Sequence, residues 1–257
     1  MDLEAVRVLA WPEFLASPGQ LHHAFTKENG QLTYDGQFVF DLTTPLAAEQ
    51  VGVGYHVQKN EIILIIHNEA EMTSLLGDLL RKLLLMRITV LHTEISSKYS
   101  METISILEDE FAVLINTSHP SIKTRLGDGL KCAALRMSRC RKFCLELDMS
   151  TSLHDWYAEH KEAITSCDDI HQMKVRRARL YVTNHTIYSH CFDCKPHWWL
   201  CLCFCWLLSA PCYMSYRKLT CTDIYVEIHG EITPAKSVQD ESSRVAIDSS
   251  RRSYQTV

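Results

Sequence analysis

The chain has 257 residues, a net charge of −5, 9 Gly, 7 Pro and 46% hydrophobic residues. That length holds one core of ordinary size, or one domain with attachments. The modest acidic balance excludes a nucleic-acid-binding domain as a whole, and the scarcity of Gly and Pro excludes collagenous or low-complexity sequence.

The N-terminus, MDLEAVRVLAWPEFLASPG, has neither a basic n-region nor an apolar h-region, so no cleaved signal peptide is expected. Residues 1–60 read as a mixed strand and loop region, with strand candidates at Val6–Trp11 and Gln37–Leu42 around the turn-rich KENGQLTYDG. Residues 61–170 read as an α/β domain. Ile62–Ile66 is a continuous apolar run, as in a strand buried on both faces. Asn68 and Glu71 open a helix as a variant capping box, and Met72, Leu75, Leu76, Leu79, Leu80, Leu83 and Leu84 follow at helical spacing. Ile88–Leu91 is a second strand, 96–100 a loop, 101–108 a short helix, and Phe111–Ile115 a third strand. Ser118 and Pro120 open a helix with the stripe Ile122, Leu126, Leu130, Ala133, Met137 and Cys140. Phe143–Leu147 is a fourth strand and 150–166 a further amphipathic helix. Strands alternating with helices predict a flavodoxin-like parallel sheet with flanking helices.

Residues 171–197 form a basic segment leading to the apolar stretch 198–216, WWLCLCFCWLLSAPCYMSY, which carries no charge over 19 residues. As a helix it would extend roughly 28 Å, against about 30 Å of bilayer hydrocarbon. Trp198 and Trp199 sit at its start, Leu202, Phe204, Trp206, Leu207 and Leu208 in its body, and Arg217 and Lys218 end it. We therefore expect a transmembrane or monotopic membrane segment, with the N-terminal domain cytosolic. Residues 217–232 contain a short strand-like piece, DIYVEI. Residues 233–257 are polar and Ser-rich, and are expected to be a disordered tail.

Seven of the 11 Cys fall in 31 residues from Cys191 to Cys221, and none precedes Cys132. This odd, lopsided set predicts reduced thiols rather than a disulfide framework. Cys191, Cys194, Cys212 and Cys221 are lipidation candidates beside the apolar stretch. His190, Cys191, Cys194 and His197 have ligand types that suit zinc, but four ligands within eight residues strain a tetrahedron, so a lipidated or buried Cys pair is the preferred reading. Lys123, Arg125, Lys131, Arg136, Arg139, Arg141 and Lys142 make a basic helix able to attract anionic lipid or an acidic partner, or simply a solvated face. Asn116-Thr117-Ser118 and Asn184-His185-Thr186 are glycosylation sequons.

The pieces IILIIHNEAEMTSLLGDLLRKLLLMRITVLHTEI and SILEDEFAVLINTSH resemble Toll/interleukin-1-receptor (TIR) and SEFIR signalling domains in the order of their strands and Leu-rich helix. The loop SSKYS lacks the Pro-Gly tip of those domains. The stretch TSHPSIKTRLGDGLKCAAL has no Glu where NAD-cleaving members carry one, so the resemblance implies a scaffold rather than an enzyme. The C-terminal WWLCLCFCWLLSAPCYMSYRKLTCTDIYVEIHG resembles the transmembrane protein 151 family, which supplies no chemistry. The leading expectation is thus a membrane-anchored interaction or scaffold protein whose partners are membrane lipid and another protein, with no cofactor and no catalytic residue. The alternative is an α/β enzyme with a small-molecule cleft at the strand ends near His67, His92 and His119.

Overall fold

A computed structural model describes residues 4–58, 60–98, 101–164, 170–185, 187, 214–235 and 254–255. In chain order these form β1 (Val6–Ala10), α1 (Trp11–Ala16), β2 (Phe25–Glu28), β3 (Gln31–Tyr34), β4 (Val39–Asp41), α2 (Leu46–Gln50), β5 (Gly54–Gln58), β6 (Glu61–Ile65), α3 (Glu69–Arg81) and β7 (Leu83–Lys98). There follow β8 (Met101–Asn116), α4 (Pro120–Ser138), β9 (Lys142–Asp148), α5 (Ser150–Ile164), β10 (Ile170–Arg176), β11 (Arg179–Thr183), a short helix at 214–220, β12 (Cys221–Glu227), β13 (Ile232–Pro234) and β14 (Tyr254–Gln255).

The strands build two mixed sheets and a small β2–β3 hairpin. The first sheet runs β10-β7-β8-β1-β13, with β4 also on β7 and β14 also on β8. The second runs β12-β9-β11-β6-β5. Within the second, β12 lies parallel to β9, β9 antiparallel to β11, β11 parallel to β6, and β6 antiparallel to β5.

The α/β class holds, but the single parallel sheet over 61–147 does not. Ile62–Ile65 and Phe111–Ile115 are central buried strands, yet they lie in different sheets. β7 and β8 pair antiparallel along their whole length, from Leu83↔Asn116 to Lys98↔Met101. A parallel arrangement would need a crossover of a dozen or more residues between them. The stretch predicted as a helix at 101–108 carries β-branched Thr103, Ile104 and Ile106, which favour a strand, and it is the first half of β8.

Alternation along the strands divides the apolar side chains between faces. Leu84, Met86, Ile88 and Val90 of β7 and Phe111, Val113 and Ile115 of β8 join Ile62 and Leu64, Leu145 and Leu147, and Leu180 and Val182 of the second sheet in one core. That core also takes Met72, Leu75 and Leu79 of α3, Ile122, Leu126 and Leu130 of α4, and Trp156 and Tyr157 of α5. Each such large side chain contributes about 1.5–3 kcal/mol of burial. The other face of the first sheet is covered by Phe14, Leu21 and Phe25. The other face of the second holds Ile63, Cys144, Tyr181, Ile187 and Cys221.

The α3 start matches its sequence signal. Asn68 Oδ1 accepts from the Glu71 N–H at 2.9 Å, while Glu71 Oε2 accepts from the His67 N–H at 2.7 Å. α4 packs against the second sheet so closely that a Cβ on Gly129 would lie 2.5 Å from Val226 Cγ2 and 3.2 Å from Leu145 Cδ1.

The transmembrane reading of 198–216 is corrected by topology. β11 ends at Thr183, opposite Cys144, and β12 begins at Cys221, opposite Lys142, so both flank the same end of β9. One crossing of a bilayer would put its two flanks on opposite sides, yet both belong to one sheet. Among the described residues no helix is long and apolar enough to cross a membrane. Residues 198–213 lie outside the described residues, with Trp198, Trp199, Leu202, Phe204, Trp206, Leu207 and Leu208 among them, whereas 214–216 open the short helix. The expected tail is ordered in part: Thr233 and Pro234 pair with Arg7 and Val8, and β14 pairs with Ser105 and Ile106. Residues 236–253 lie outside the described residues.

Candidate functional site

The three strand-end histidines do not converge. Thr117 Oγ1 donates to the Lys82 carbonyl at 2.8 Å, tying the end of α3 to the approach to α4. His67, just before α3, therefore sits a helix length away from His119, just before α4. His67 is exposed, with Nδ1 3.3 Å from Glu71 Oε2. His92 instead lies mid-strand in β7, buried against α5. The Tyr157 hydroxyl donates to Asp109 Oδ2 at 2.5 Å and lies 3.2 Å from His92 Nδ1, all three side chains being buried. This group ties α5 to the β7–β8 hairpin. Sequence reasoning missed Asp109 and Tyr157, because they are 48 residues apart and share no local motif.

His119 does line a cleft of about 1080 Å³ between the α4 start, α5 and β13. Glu4, Asp155, Glu159 and Glu231 bring four carboxylates to it, His160 and His229 join His119, and among the described residues no Lys or Arg lines it. Trp156 supplies an aromatic wall, stacked on His160 at 5.5 Å with an interplanar angle of 26°. Its indole Nε1 is buried and has no hydrogen-bond partner among the described residues. Gly230 lets the β12–β13 turn pass over β1, since a Cβ there would lie 3.1 Å from Ala5 Cβ. Glu4 pairs with Arg7 at 3.4 Å and Asp155 lies 3.3 Å from His154 Nδ1, while carboxylates beside an aromatic face suit a cation. The His119 Nδ1 to Ser121 Oγ distance is 2.7 Å, but the same nitrogen accepts from the Ser121 N–H at 3.4 Å. That pair caps α4 and is not arranged as a nucleophile and base.

The second feature is the end of the second sheet where residues 184–220 leave and return. Asn184 Oδ1 accepts from the Phe143 N–H at 2.8 Å, and its Nδ2 donates to the Arg141 carbonyl at 3.1 Å, so this sequon amide is engaged by backbone. The Asn116 sequon amide accepts from the Ser118 N–H at 3.1 Å. Arg217 is fully buried and forks onto Asp223 at 2.7 and 2.6 Å, and this pairing holds its pKa far above the ordinary value despite burial. Cys221 is buried and burial pushes its thiol up, so it is not presented for lipidation. Burial likewise pushes the Cys144 thiol up to about 12. Around this end Arg139, Arg141 and Lys218 are exposed and Lys142 is half-buried. Tyr216 and Leu219 are 52% and 87% exposed. The zinc quartet His190, Cys191, Cys194 and His197, and the thiols of Cys191, Cys194 and Cys212, lie outside the described residues. Among the described residues no group of three or more His, Cys, Asp or Glu is arranged to hold a metal ion.

Two mixed sheets around a common core, with an acidic cleft beside the α4 start and basic residues about its finish, define an α/β protein. The chain belongs to the mesenteric estrogen-dependent adipogenesis protein family, whose sequence profile matches residues 7–199. This replaces the resemblances to TIR and SEFIR domains and to the transmembrane protein 151 family. Similar order of an apolar strand, a Leu-rich helix and further strands arises in many α/β chains, and the antiparallel β7–β8 hairpin departs from the TIR pattern. No curated protein and no solved structure matches the chain.

Proposed function

We propose that this protein is an interaction protein held at the cytosolic surface of a membrane, with its acidic cleft receiving a basic segment of a protein partner. The observation that carries this reading is the common origin of both flanks of the apolar stretch. Residues 184 and 220 adjoin one end of the second sheet, amid Arg139, Arg141, Lys142 and Lys218. A monotopic insertion from that end keeps the sheet intact and meets anionic lipid with cations. Exposed Tyr216 and Leu219 extend the apolar surface up to the body. The unpaired thiols of Cys132, Cys140, Cys144 and Cys221 favour a reducing compartment. The cleft, at the far end of the sheet, would then point away from the lipid. The family description names an estrogen-dependent protein of adipogenesis, and we carry that setting over to this chain.

Carbonate extraction followed by vesicle flotation tests the attachment. Wild-type protein should float with anionic vesicles, and L202R/L207R should remain soluble. Each Arg would set a charge against the hydrocarbon edge that a monotopic segment enters, which opposes insertion. A folded double variant that still floats would sink the proposal. For the cleft, D155N/E159Q should weaken binding of a Lys-rich peptide, and the loss should shrink at high salt.

A further inference from the structure

The corner between β10 and β11 carries a second, oppositely charged cavity. β10 belongs to the first sheet and β11 to the second, and only Arg177 and Ala178 separate them. The corner is rigidly placed. Ala178 is buried, its carbonyl accepts from the Met149 N–H at 3.1 Å, and Arg177 holds a left-handed φ of 61°. The cavity has a volume of about 670 Å³. Lys174, Arg176, Arg177 and Arg179 line it, against one carboxylate, Glu61.

The four cations are not equivalent. Arg179 is committed to the sheet, with Asp148 at 3.0 Å, Glu146 at 3.6 Å and Glu61 at 3.8 Å. Arg176 and Arg177 are half-buried, and among the described residues no carboxylate pairs with either. Half-buried guanidiniums without counter-charges are costly unless an anion joins them. Their planar forks match phosphate oxygens. α5 begins at Ser150 on the same wall, so its positive end adds to the field. The volume exceeds what a bare phosphate fills.

We infer that this corner binds a soluble, phosphate-bearing small molecule, its phosphate held by Arg176 and Arg177. A soluble ester is favoured over a lipid headgroup because the cavity opens at the Arg179 end of β11, whereas residues 184–220 leave from its Thr183 end. At about 3.3 Å per residue those ends are well apart.

Calorimetric titration of the full chain with inorganic pyrophosphate tests this, together with vesicles carrying phosphatidylinositol 4-phosphate. Wild-type protein should bind pyrophosphate with an affinity that falls as salt rises. R176Q/R177Q should weaken it at least tenfold, and K123Q, on the distant basic helix, should not. Should the double variant fail to fold, R176Q alone carries the same comparison and leaves the left-handed position untouched. Absence of pyrophosphate binding, equal binding by the arginine variants, or an equal loss in K123Q would overturn the site. Arginine-dependent binding of the vesicles without binding of pyrophosphate would overturn the soluble ligand.

Discussion

Two arginines on the same outer face of the second sheet, Arg217 and Arg179, solve one problem in opposite ways. Arg217 is fully buried and forks onto the carboxylate of Asp223 through two short parallel bonds. Arg179 is 42% exposed and is shared among Asp148, Glu146 and Glu61 at 3.0 to 3.8 Å. The buried guanidinium is costly to strip of its partner, because little water can replace it. The exposed one is cushioned by solvent and by redundancy. The contrast follows the chain path. Arg217 pins the returning helix at 214–220 onto β12, whereas Arg179 opens a strand already paired on both sides.

The sharpest way to break this comparison is to remove Asp223. D223A leaves the Arg217 charge buried without its bidentate carboxylate and should cost about 3 kcal/mol, the low end for broken buried pairs because Asp223 is itself half-exposed. The melting temperature should fall clearly below that of wild type. An unchanged melt would mean that the pair does not anchor the returning chain.

The inner face of the same sheet sets a second scale. G129V drives a side chain into Val226 and Leu145, two short branched groups with little room to yield, and should destabilise by about 1–3 kcal/mol. Gly127, two residues earlier on the same helix, has only Leu80 Cδ2 at 3.9 Å near its missing Cβ. G127A should therefore stabilise by about 0.5–1 kcal/mol through helix propensity. If chemical denaturation shows both substitutions to be equally harmful, α4 does not sit as closely on the sheet as described.

These two ends also separate what the sequence reveals from what it hides. α3, α4, α5 and β6 are legible because their signals are local: Asn68 with Glu71, Pro120 at a helix start, and a continuous apolar run at 62–66. The β7–β8 pairing is hidden because the sequence between the two strands, Tyr99-Ser100, carries none of the Asn or Gly that marks a tight turn. The β12–β9 pairing joins Cys221 to Lys142, a separation no periodicity reports. The apolar stretch reads as a membrane span by length alone, and only the return of the chain to the same sheet removes that reading. Of the site, His119 was legible as a strand-end polar residue. His160, His229 and the cleft carboxylates gather only when α5 and β13 close over β1.

A smaller effect is expected at the exposed arginine. R179Q removes one charge from a group of carboxylates that water already screens, and should cost no more than about 1 kcal/mol, shrinking as salt rises. A loss as large as that of D223A would show that redundancy does not protect this end.

The smallest effect, and the one that tests the buried end by pH, involves His185. Its Nε2 is buried without a partner among the described residues, and burial together with Lys142 and Arg217 holds its pKa below the ordinary value. The folded form therefore resists the proton more than the unfolded chain does. On acidification the unfolded chain takes up the proton first, near its own pKa of about 6.5, and stability falls. The fall ends once the pH passes below the folded pKa. Full stability from this group is thus present above about pH 7 and declines through the range below about 6.5. His22, also held low by burial, His23 and Arg7 on the outer side of the first sheet, adds a term of the same sign. H185Q should flatten, without abolishing, the decline in denaturation free energy between about pH 7 and 5.5, leaving the His22 part. A slope unchanged by H185Q would mean that the imidazole at the point where the chain leaves the sheet is open to water, and that this end is less closed than its Arg217 suggests.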